Sequence, residues 1–151
     1  PIEHKTAIHK AYKKMTKKVL ADVKSGRLNA WNKQSIQGRM MNEKNSIIYD
    51  VIADTYMEPK YITPCMAGSL FGVIEANGKV RPCEILEDSY GNIRDYDYNF
   101  MDLWSNKIAK QNRDWIKSSK CNCHYDCAWS FNILGNLKFQ KKLILPALGL
   151  K

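Results

Sequence analysis

Residues 65–83 read "CMAGSLFGVIEANGKVRPC". Two β-prone runs flank Asn77-Gly78, a dipeptide that supplies the positive φ values of a two-residue type I′ hairpin turn. A cysteine stands at each end, Cys65 before the hairpin and Cys83 on its returning strand, so the hairpin can bring both thiols to one end of the fold. Pro82 has no N–H to give to a ladder, which makes the returning strand an edge strand or ends it there.

Downstream, "SYGNIRDYDYNF" (89–100) reads as loop and turn. "MDLWSNKIAKQNRDWIKSSK" (101–120) reads as a short helical segment and then a longer helix. Its apolar positions are Leu103, Trp104, Ile108, Trp115 and Ile116, and Ser105 is a candidate cap for the second part. Three more cysteines follow at once in "CNCHYDC" (121–127). The chain closes with the compact apolar "AWSFNIL" and with a short helix that Pro146 is expected to stop.

Upstream, Ile8, Tyr12, Met15, Val19 and Val23 recur at helical spacing over residues 5–23, with lysines largely between them. A second helix is expected from Ser35 to Met57, its stripe including Ile36, Met40, Ile47, Val51 and Ile52. Pro59 and Pro64 mark an extended connection. The expected fold class is α+β: N-terminal helices, a small antiparallel β-hairpin, then helices and a cysteine-rich loop. Two regions are expected, a helical segment over 1–59 and a cysteine-bearing domain over 60–151.

The chain has 151 residues, 44% hydrophobic and 26% charged, which suits a packed domain rather than wholesale disorder. No apolar run approaches the ~20 residues that span a bilayer, so no membrane association is expected. Of the formal charge of +9, residues 1–44 hold +8, from eleven Lys/Arg against three Asp/Glu. That basic arm reads first as a solvated helix face, because base-stacking aromatics are not interleaved with the lysines; nucleic acid ranks behind it.

Five cysteines are an odd number for disulfides, and a reducing, cytoplasmic setting keeps thiols unpaired. Thiolates bind both zinc and iron–sulfur clusters, with about four converging in either case. Paired Cys-x2-Cys motifs of zinc ribbons are absent. Instead there is a Cys–hairpin–Cys clamp and a Cys121-x-Cys123-x3-Cys127 run. His124 reads as a solvated neighbour or as the last ligand of a Cys3His zinc site. Asp126 reads as a loop residue, and Trp104, Trp115 and Trp129 as core.

The pattern Cys65, twelve residues, Gly78, four residues, Cys83 resembles the opening of the auxiliary-cluster motif at the C-terminus of many radical S-adenosylmethionine enzymes, the SPASM or shortened twitch domain. The "GN" turn, the "DLW" helix start and the clustered cysteines are similar too. The resemblance covers residues 60–135 well and 1–59 loosely. It implies one [4Fe–4S] cluster, because the full pattern has seven cysteines for two clusters and this chain has five. Cys65, Cys83 and Cys127 would be ligands, with the fourth from Cys123 or Cys121. Cys123 is preferred, because Cys123-x3-Cys127 matches the family's last close pair.

The Cys-x3-Cys-x2-Cys motif that binds S-adenosylmethionine in such enzymes is missing, since Ser130 stands where its third cysteine belongs. With the Pro1 start, the expectation is a fragment of a larger enzyme, not catalytic alone. S-adenosylmethionine would then belong to an absent radical barrel domain, the natural partner of this piece. Family substrates are often peptides or proteins, and exposed apolar stripes on the N-terminal helices would favour a homodimer in isolation. The alternative function is a structural zinc module with a basic arm on nucleic acid.

Overall fold

The computed structural model of the chain describes residues 4–150. Pro1, on which the fragment expectation rests, lies outside them. In chain order the elements are α1 (Lys5–Ser25), α2 (Ile36–Met57), β1 (Val73–Ile74), β2 (Lys79–Arg81), β3 (Gly91–Asn92), a 3-10 helix (Ile93–Tyr96), α3 (Phe100–Trp104), α4 (Lys107–Ser118), α5 (Asp126–Leu134) and α6 (Leu137–Ala147). The fold class is α+β. The chain divides into two compact units, one of residues 1–60 with 123–151 and the other of residues 61–122.

In the first unit α2 is the central element, packing against α1, α5 and α6. Its start is set locally, because the Ser35 side chain accepts from the Gly38 amide. Ile48, Val51 and Ala53 of α2 are buried, as are Trp129 and Ile133 of α5 and Phe139 and Leu143 of α6. The expected stripe of α1 is only half inside. Ile8 and Met15 are 51% and 54% exposed, while Thr16 is buried. Ile36, at the first turn of α2, is exposed as well. Pro146 does not stop α6 before itself but lies within its last turn. Here the preceding turn is already made, and the helix ends one residue on, at Ala147.

The second unit is built around a three-stranded antiparallel sheet in the order β1-β2-β3. Val73 faces Arg81 and Ile74 faces Val80. The hairpin turn differs from the expected type I′. The Gly78 amide donates to the Glu75 carbonyl at 2.8 Å, and Glu75 N–H to the Lys79 carbonyl at 2.9 Å. Only Gly78 has positive φ, 89°, and Asn77 does not. The result is a longer loop closed by a left-handed glycine. Gly78 is required there twice over, because a Cβ would also overlap the Asn92 and Arg94 side chains.

Segment 89–100, expected to be loop, supplies β3 and the 3-10 helix. β2 is thereby the central strand, and it ends at Arg81, immediately before Pro82. The cap of α4 is Asn106 rather than Ser105: Asn106 Oδ1 accepts from the Ala109 amide at 2.8 Å. Asn106 Nδ2 donates to the Tyr90 carbonyl at 2.7 Å and to the Tyr96 hydroxyl at 3.0 Å. Asparagine brings both an acceptor and two donors, and this site uses all of them. Val80, Tyr90, Leu103 and Ala109 form the core, with Trp104 and Phe100 packed on it. Trp115, expected in the core, is 49% exposed, and Ile108 is 52% exposed; Ala109, Asn112 and Ile116 are the inward positions of α4.

Candidate metal centre

Three of the five cysteines border one small apolar core. Ala67, Cys83 and Ile116 are buried together, and Cys65, Phe71, Leu86 and Cys121 pack against them. Each thiol reaches that place by a separate local device.

Cys65 enters ahead of a tight loop. The Ser69 and Leu70 amides donate to the Met66 carbonyl, and the Gly68 amide is shared between the Phe71 carbonyl at 2.8 Å and the Pro82 carbonyl at 3.1 Å. That last bond ties the loop after Cys65 to the residue before Cys83. Gly68 has φ +70, and a Cβ there would overlap the Tyr90 hydroxyl. Tyr90 is fully buried, and its hydroxyl donates to Asn112 Oδ1 at 3.3 Å. Burial pushes its pKa up to about 12.

Cys83 follows β2 and is itself buried. Its sulfur accepts a hydrogen bond from the Leu86 amide at 3.3 Å. The segment that carries Leu86 has no ladder to hold it. Arg81 holds it instead, through the Glu84 and Leu86 carbonyls. The same guanidinium lies against Glu75 and holds that carboxyl below its usual range.

Cys121 is placed by the end of α4. Its amide donates to the Ile116 carbonyl, and the Lys120 amide to the Lys117 carbonyl. Lys120 takes a left-handed φ of 52°. This is a Schellman ending, in which the residue after the left-handed one meets the side chain five positions back. Here that pair is Cys121 and Ile116.

Cys123 and Cys127 belong to the other unit. The Cys123 carbonyl accepts from the Trp129 indole N–H at 2.7 Å. Cys127 is exposed in the first turn of α5, so Asp126, expected in a loop, starts that helix, where its charge suits the dipole. His124 lies edge-on to Tyr56 with centroids 5.8 Å apart. The Tyr12 hydroxyl is pushed up to about 12 by burial first and then by the Asp126 charge.

Among the described residues, no three His, Cys, Asp or Glu side chains stand together as a site for a single metal ion. The three thiols share a packing environment. The donor chemistry fits an iron–sulfur cluster: soft sulfur ligands, apolar surroundings and an amide already directed at one sulfur. The sequence pointed to Cys65 and Cys83 through the hairpin. The packing signal for Cys121 is an apolar residue five positions before it across a helix end, which motif spacing does not carry.

Residues 65–128 match the family model of SPASM, described as an iron–sulfur cluster-binding domain. Over this stretch the chain is similar to SPASM domains. All five cysteines lie inside the matched SPASM residues. Neither the curated proteins nor the solved structures compared with the chain gave a match. Among the described residues no helix is long and apolar enough to cross a membrane.

Proposed function

We propose that the SPASM segment holds one auxiliary [4Fe–4S] cluster, in a reducing cytoplasmic setting, and serves a radical S-adenosylmethionine oxidoreductase whose barrel domain is its partner. The observation that supports this best is the packing of Cys65, Cys83 and Cys121 around one apolar core within the matched residues. When bound, a cluster would supply one-electron transfer or an iron open to substrate. The chain's own residues do the rest. Cys65, Cys83 and Cys121 are the thiolates that one unit supplies, and Cys123 or Cys127 is the next donor along the chain. The apolar side chains packed with Cys65, Cys83 and Cys121 would lower the dielectric that a cluster feels. A peptide or protein is the proposed substrate class of the whole enzyme.

The test is iron, acid-labile sulfide and visible absorption on the 151-residue chain, purified and reconstituted without oxygen. About four irons and four sulfides per chain are expected, and their loss in a Cys65→Ala/Cys83→Ala variant. Cys121→Ala should lose more iron than Cys123→Ala. One zinc with no sulfide would overturn the reading.

A further inference from the structure

We propose that Arg81 is a positioning residue for the Cys83 thiolate, acting through the turn after it so that the Leu86 N–H stays directed at the sulfur. This rests on the cluster reading above and deepens it. The Arg81 guanidinium makes one side-chain contact, Nη1 to Glu75 Oε1 at 2.9 Å across the hairpin. Its other bonds go to main-chain carbonyls. Nη2 donates to Glu84 at 3.0 Å and to Leu86 at 2.6 Å, and Nε donates to Leu86 at 3.0 Å.

Those carbonyls belong to the peptide units on either side of the one that carries the Leu86 N–H. Fastening both neighbours fixes the middle unit, and that unit donates to Cys83 Sγ at 3.3 Å. No strand or helix spans residues 84–86, and the Arg81 fork grips both carbonyls. Lysine keeps the charge but cannot reproduce a planar fork with several donors.

An N–H donor to a ligating sulfur stabilises the more negative, reduced state of a cluster and raises its potential. Arg81→Lys should therefore lower the midpoint potential of the reconstituted chain, although the charge is kept. The expected tilt is about tenfold in the one-electron equilibrium, 59 mV. Arg81→Gln should move it in the same direction. In the cluster-free wild-type chain the Leu86 amide should exchange with deuterium at least tenfold more slowly than the Glu87 amide, and Arg81→Lys should remove that protection.

An iron-loaded Arg81→Lys protein with the wild-type potential overturns the proposal. So does fast exchange of the Leu86 amide in the wild-type chain, a measurement that needs no variant to fold. Wild-type protein that takes up no iron or sulfide would instead overturn the cluster reading. The exchange experiment would still decide whether Arg81 holds this turn.

Discussion

The two units of the chain are held by different means. In the helical unit, α2 is covered by three other helices, and order comes from large side chains meeting between cylinders: Ile48, Trp129, Ile133 and Leu143 are all nearly or wholly buried. In the unit of residues 61–122 the strands are two or three residues long. So little ladder cannot hold a shape alone. There the side chains of Arg81, Asn92, Arg94, Asn106 and Arg113 bond to backbone carbonyls or amides of other segments. The lesson is that three cysteines can be given fixed surroundings without much regular structure, provided polar side chains bracket the loops that carry them.

The largest expected effect breaks the helical side of that contrast. Trp129→Ala removes a side chain that is 2% exposed, together with its bond to the Cys123 carbonyl. A loss of about 3–5 kcal/mol is expected in denaturant unfolding of the full chain. A cost below about 1 kcal/mol would mean that this unit does not depend on the packing described.

A smaller effect tests the bracketed unit. Gly68→Ala places a methyl group on the Tyr90 hydroxyl and puts alanine at a left-handed φ. The expected loss is about 1–3 kcal/mol, with faster amide exchange at Gly68's neighbours and at Cys83. Unchanged exchange there would separate the Cys65 loop from the strand that leads to Cys83.

The smallest prediction has the opposite sign and sharpens the comparison. Lys120 occupies the left-handed position at the end of α4, and its ammonium lies 6.0 Å from the Tyr61 ring centroid. Lys120→Gly relieves the backbone at the cost of that weak ring contact. A net gain of up to about 1 kcal/mol is expected in thermal unfolding, with the Cys121 environment retained. A loss of stability would show that the ring contact outweighs the backbone term.

Much of the local structure was legible. The helix from Ser35 to Met57 could be read because a capping serine, a 3.6-residue period and a following proline all act within a few residues of the bonds they govern. The hairpin was legible for the same reason, through Gly78. The turn class was not, since the choice between two loops depends on Asn92 and Arg94, which approach Gly78 from a strand and a 3-10 helix that the sequence pattern does not announce. Ser105 and Asn106 are both good caps in isolation. Asn106 takes the position because the Tyr90 carbonyl and the Tyr96 hydroxyl lie within reach of its amide, and those partners come from elsewhere in the chain.

The sequence by itself determined the number and spacing of the cysteines, the hairpin between Cys65 and Cys83, and the helices that frame them, because spacing, periodicity and turn chemistry are local quantities. Which cysteine packs beside Cys65 and Cys83 was decided by tertiary structure. Motif spacing says nothing of packing, whereas the helix ending at Lys120 turns Cys121 back onto Ile116 in the same apolar core. That outcome follows from burial. A thiol two residues away along the chain faces other surroundings once the backbone passes through a left-handed residue, and no count of intervening positions carries that information.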